Sequence, residues 1–129
     1  MSAGSITPVA KALYLCDGHI AFPNRKTDLM GIFTSIRPAS YPHIQKQFVI
    51  YAQLTSGLGQ VPFYFDVRFA QNGQLVRTTN IHTLNFPRRD KLVELALTMQ
   101  GCPFPQPGIY LIELHCNAQW VADTALELL

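Results

Sequence analysis

Between Val61 and Phe69 apolar and polar residues alternate. Val61, Phe63, Phe65, Val67 and Phe69 fall on one side, and Tyr64, Asp66 and Arg68 on the other. A period of two built from aromatic and β-branched residues predicts a half-buried strand, with Arg68 and its parity mates facing solvent. Asn72-Gly73 follows, the dipeptide best suited to the positive φ angles of a tight hairpin. It predicts a return strand from Leu75 to about Leu84.

A second hairpin is expected after Pro107-Gly108. Tyr110, Ile112, Leu114 and Cys116 share one face, and the return run offers Trp120, Ala122, Thr124 and Leu126. Pairing Leu114 with Ala122, Ile112 with Thr124 and Tyr110 with Leu126 keeps apolar against apolar. A one-residue slip would set Ile112 against Asp123. The buried face sets register, so a three-residue loop, Asn117-Ala118-Gln119, is predicted, with Cys116 opposite Trp120.

Upstream, strands are predicted for Ala10–Asp17, ending in an Asp17-Gly18 turn, for Leu29–Ile36, and for Gln47–Thr55 before the Ser56-Gly57-Leu58-Gly59 turn. Residues 89–100 read two ways. Leu92, Leu95 and Met99 sit at helical spacing, yet Val93, Leu95, Leu97 and Met99 alternate, and neighbouring strands need partners. Strand is the preferred reading. Gly101 to Gly108, with three prolines, is expected to be a stiff loop. The total is eight strands, spaced for hairpins, with no repeat and no linker. The pattern predicts an all-β, two-layer antiparallel β-sandwich forming a single domain over 1–129.

Composition refines this picture in three ways. A chain of 129 residues that is 48% hydrophobic can bury a real core. Only 14% of its residues are charged, against about 25% in typical soluble domains. Either Thr, Gln and Asn serve the exposed strand faces, or a partner covers part of the surface. A net charge of +2 is too small to argue for nucleic acid or an acidic membrane. Three cysteines, a small polar start at Met1-Ser2-Ala3-Gly4-Ser5 and no long apolar run point to reduced thiols in a cytoplasm, with no membrane span.

The order of several short features resembles a family of small uncharacterised bacterial proteins with an immunoglobulin-like sandwich. These are Leu15-Cys16-Asp17, Gly31-Ile32-Phe33, Tyr41-Pro42, Asn72-Gly73, Gln100-Gly101, Pro103-Phe104-Pro105 and Pro107-Gly108-Ile109-Tyr110. The resemblance runs over nearly the whole chain and implies the immunoglobulin-like arrangement. It implies no activity and no site residues.

Four constellations carry candidate chemistry. Cys16, Asp17 and His19, with Asp28 beyond, include metal-ligand types, but the cysteines stand alone and strand neighbours face opposite ways, so no metal site is expected. The same geometry denies His115 the role of base for Cys116. With no nucleophile elbow, phosphate loop or converging acid pair, neither an enzyme nor a cofactor is expected. Arg25-Lys26 and Arg88-Arg89, near Phe22 and Phe86, could contact nucleic-acid phosphates and bases, although Asp28 and Asp90 stand by to neutralise them. Phe104, held between prolines, is either a pre-organised binding residue or a cap over the open end of the sandwich; capping is preferred.

Ile109 and Leu111 alternate with Tyr110 and Ile112, so both faces of that strand are apolar. At a sandwich edge this invites a partner. The expected function is therefore non-catalytic: a protein-binding or assembly module, as a homo-oligomer or an accessory subunit of a bacterial system. Phe104, Ile109 and Leu111 would form its binding surface. The alternative is a nucleic-acid-contacting module using Arg25, Lys26, Arg88 and Arg89.

Overall fold

A computed structural model describes residues 4–129; Met1 to Ala3 of the polar N-terminal stretch lie outside the described residues. Among the described residues there are ten strands and no helix: β1 (Val9–Ala21), β2 (Thr27–Ile32), β3 (Ser35–Ile36), β4 (His43–Thr55), β5 (Gly59–Phe69), β6 (Leu75–Thr78), β7 (His82–Phe86), β8 (Val93–Phe104), β9 (Gly108–Cys116) and β10 (Gln119–Leu128). They make a two-layer β-sandwich. One sheet runs β2-β1-β4-β8; the other runs β3-β10-β9-β5-β6, with β7 also pairing β5. All pairs are antiparallel except β3 with β10, which is parallel.

The alternation read from the sequence builds the core. Phe48, Ile50, Ala52 and Leu54 of β4 are buried with Val61, Phe63, Phe65, Val67 and Phe69 of β5 and with Tyr110, Ile112 and Leu114 of β9. Side chains i and i+2 of a strand share a face, so two facing sheets need no more instruction than this. Residues 93–104 are strand, as preferred. Ten strands replace the expected eight because two of the eight are interrupted. The Leu29–Ile36 run leaves the first sheet after Ile32 and joins the second as β3. The return strand after Asn72-Gly73 breaks between Thr78 and His82. The hairpin forms around Asn72-Gly73, but through a wider loop than the tight turn expected. Only Gly73 takes positive φ there (71°), its N–H donating to the Phe69 carbonyl, while the Gln74 N–H donates to Asn72 Oδ1.

Three local expectations are corrected. Asp17-Gly18 is not a turn: β1 continues to Ala21, and the chain reverses through Pro23-Asn24-Arg25, with Arg25 at φ 67°. The irregularity sits opposite instead, at Gly31, whose φ of 65° an L side chain rarely adopts and whose missing Cβ leaves room for the Asp17 carboxyl. Second, the β9–β10 loop has two residues. Asn117 and Ala118 both take positive φ (53° and 59°), as a type I′ turn requires, so Cys116 pairs with Gln119. A bulge between Trp120 and Ala122 absorbs the odd residue. Beyond it Leu114 meets Ala122, Ile112 meets Thr124 and Tyr110 meets Leu126, the register the buried face demands. Third, the proline-rich segment is largely strand, since β8 runs to Phe104.

After Cys16 and Val49 the pairing of β1 with β4 stops, while β1 and β2 continue together as a two-stranded ribbon. The ribbon folds back over the outer face of the first sheet. Its His19, Ala21 and Thr27 line one cleft with Tyr51, Glu94 and Ala96 of that face. Val49 and Tyr51, which alternate outward, are accordingly buried. Among the described residues, no such layer covers the outer face of the second sheet.

Candidate functional site

The outer face of the second sheet carries a compact polar network. Outward positions of β5 supply Tyr64, Asp66 and Arg68, and those of β9 supply Glu113 and His115. Cross-strand register sets Tyr64 beside His115 and Asp66 beside Glu113, and β10 adds Asp123 on the other side of Glu113. Three carboxylates thus stand in one row across three strands. Like charges directly opposite destabilise a sheet unless bridged. Arg68 provides the bridge: its Nε donates to Glu113 Oε1 at 3.0 Å and its Nη2 to Asp66 Oδ2 at 3.3 Å. His115 Nε2 lies 3.2 Å from Glu113 and 3.7 Å from Asp66, and its ring stacks on Tyr64 at 4.9 Å between centroids. Asp66 is only 6% exposed, the one buried charged residue among those described. Such burial is tolerable because the carboxylate is paired.

Asp66, Glu113 and His115 offer one ligand atom each within 4.8 Å of one another, so these three could hold a metal. The Arg68 guanidinium already occupies the space between the two carboxylates, and a divalent ion would have to displace it. The cluster lies on an open sheet face, away from the two clefts described for this chain.

Around this network lie the apolar residues of the same face. Ile109 is 39% exposed and Leu111 half-buried, next to Ala125 of β10 at one end; Trp120, 59% exposed, stands at the other beside His115 and donates its indole N–H to Asp123 at 3.3 Å. Ile109 and Leu111 do not lie at an edge, since β9 runs between β10 and β5. Their surface is a sheet face, not a free backbone.

Phe104 is not on the surface. It is fully buried and packs edge-to-face on Tyr110, 4.9 Å between centroids. Gly101, at φ 64°, shifts the alternation of β8 by one, so Met99, Cys102 and Phe104 all point inward. Phe104 therefore leaves the predicted binding set and takes the capping role.

The basic pairs sit on separate elements. Arg25 and Lys26 occupy the tip of the β1–β2 ribbon beside exposed Phe22. Arg88 is paired with Asp90 at 2.6 Å, and Arg89 donates to the Ser56 carbonyl at 3.0 Å. Phe86 is buried and cannot stack on a base. Cys16, Cys102 and Cys116 are free and buried. Burial pushes the Cys102 thiol up to about 12 and the Cys116 thiol up to about 11, so neither is a nucleophile at neutral pH. His115 and Cys116 lie on opposite faces, His115 in the outer network and Cys116 in the core.

The sequence reading missed the polar network. Its one signal was the shared outward parity of Tyr64, Asp66 and Arg68, and of Glu113 and His115. That the two sets meet depends on the β5–β9 register, which no local pattern contains.

A profile of a family of unknown function, DUF6941, matches residues 11–129. The chain belongs to the DUF6941 family. No curated protein matches it. Among the described residues of this DUF6941 member, no helix is long and apolar enough to cross a membrane.

Proposed function

We propose that this DUF6941 protein is a non-catalytic, immunoglobulin-like module that binds protein, as a self-assembling subunit or an accessory subunit of a bacterial assembly, through the outer face of its second sheet. One observation carries the reading. That face combines an exposed Trp120, a stacked Tyr64–His115 pair, Arg68 and the Ile109–Leu111 apolar strip. Trp, Tyr and Arg are the residues that dominate binding energy in protein interfaces. The low charged fraction of the chain is in keeping with a covered face.

The immunoglobulin-like assignment is supported by the strand that crosses from one sheet to the other as β3 and pairs parallel with β10. It is also supported by the buried Tyr110, whose hydroxyl donates to the Gln106 carbonyl at 2.7 Å just before its strand proceeds. Three free thiols suit a reducing cytoplasm. The nucleic-acid alternative draws less support, because Arg88 and Arg89 are already engaged.

Sedimentation over a concentration series, on protein purified with any partner it retains, tests the reading. Wild type should self-associate or carry a stoichiometric partner. Leu111→Lys should keep the fold and lose the assembly, since burying an unpaired lysine costs several kcal/mol. A wild type that is monomeric and partner-free at every concentration would remove the proposal.

A further inference from the structure

The break in the second sheet between β6 and β7 opens a cleft of about 260 Å³ against β8 of the first sheet. It is lined by Arg77, Thr78, Thr79, Asn80 and His82 of the broken edge and by Thr98 of β8. Thr78 pairs with outward Asp66 and Thr98 with outward Val49, so these two contribute backbone rather than hydroxyls. Leu97 and Met99, which alternate toward the core, line the apolar part. Arg77, Asn80 and His82 supply the N–H donors, and no carboxylate lines the cleft. The nearest acid by register is Asp66, opposite Thr78, and Arg68 holds its carboxylate.

The break is fixed rather than frayed. The Thr79 hydroxyl accepts from the Phe65 N–H at 2.9 Å and donates to the Asn80 carbonyl at 3.1 Å, while the Thr79 N–H donates to the Phe65 carbonyl at 2.9 Å. Arg77 is likewise anchored: its Nη1 donates to the carbonyls of Gln100 and Gly101 at 3.0 and 3.2 Å. Those bonds use one nitrogen. Among the described residues, Nε and Nη2 have no protein acceptor, and the guanidinium fork is matched to planar or tetrahedral oxyanions. His82 is braced against Phe63, 5.5 Å between ring centroids.

We infer that this cleft binds an oxyanion, the phosphate or carboxylate group of a small molecule whose apolar part rests on Leu97 and Met99. A positioned cation, an imidazole and an amide beside a small apolar floor are what such a ligand needs, and the volume suits only a small one. The site lies apart from the proposed protein-binding face, so either can fail alone.

Amide-resolved NMR titration with sodium phosphate, sodium acetate and, at matched ionic strength, sodium chloride tests this. Saturable shifts confined to residues 77–82 and 97–99 are expected with phosphate, acetate or both; the stronger of the two identifies the group. Arg77→Gln, which can still donate to a β8 carbonyl, should weaken the response by about tenfold. Asn80→Asp, at an exposed position whose side chain holds nothing in place, should do the same by repulsion and decides the matter if the Arg77 variant unfolds. Shifts that chloride reproduces, that never saturate, or that a folded Asn80→Asp protein retains in full would overturn the site.

Discussion

The two outer faces of the sandwich are built from the same alternating pattern and end in opposite states. On the first sheet, Val49 and Tyr51 point outward and are buried, because the chain's own β1–β2 ribbon lies over them. On the second, Ile109, Leu111 and Trp120 point outward and stay accessible, and the most central polar positions are filled by an ion network instead. The ribbon covers part of one face, and the other stays accessible. An outward apolar residue therefore means different things on the two sheets, and only the tertiary path of the ribbon separates them.

Truncation of matched tyrosines is the strongest test of this contrast. Tyr51→Ala, beneath the ribbon and bonded to Glu94 and Gln53, should cost about 3 kcal/mol in denaturant unfolding. Tyr64→Ala, on the bare face, should cost about 1 kcal/mol or less. Equal losses would mean that the ribbon is no cover, or that the second face is covered too.

Thiol accessibility sharpens the same contrast kinetically. Cys16 sits where the ribbon leaves the sheet, whereas Cys102 and Cys116 lie between the sheets. Local lifting of the ribbon should expose Cys16 without global unfolding, so alkylation followed by mass spectrometry should find it modified roughly tenfold faster than the other two. The two core thiols also have a pH signature. Their folded values of about 12 and about 11 lie above the ordinary 9.0, so folding favours the protonated form. That stability is complete below about pH 9 and is lost as pH rises through 11 and 12, which denaturation at stepped alkaline pH would read.

The smallest effect concerns the network. Arg68 was expected on the solvent side as an unpartnered residue, and it is instead the bridge between two directly opposed carboxylates. Arg68→Met should lower stability by about 1 kcal/mol, a modest figure because the side chain is a third exposed. High salt should narrow the gap by screening Asp66 from Glu113. No change at either salt concentration would reduce the network to surface decoration.

Much of this fold was legible in short-range pattern. β4, β5 and β9 announce themselves by alternation, and the apolar matching of Leu114 with Ala122 held even though the loop was shorter than expected. What local pattern could not carry were the places where backbone geometry overrides parity. Gly101 turns Phe104 from a surface candidate into core, and the bulge near Val121 hides a two-residue turn. The ribbon's fold over Tyr51 is a tertiary event with no periodic trace. Of the proposed binding surface, Ile109 and Leu111 were readable by their two-sided apolar strand. Trp120 was assigned inward parity from the wrong loop length, and the acid row needed a long-range register.

The parallel pairing of β3 with β10 has a consequence in time rather than in shape. Ser35–Ile36 and Glu127–Leu128 are partners though roughly ninety residues apart in the chain. A chain lengthening from its N-terminus makes the first of these early and must hold it open until the second exists. Meanwhile β9 lacks its β10 neighbour, and the buried sites of Leu126 and Leu128 stand empty. Folding is then expected as a late event, after β10 has been made. Ribosome-bound chains stopped after Ala118 should be cut rapidly by protease at sites that longer chains protect.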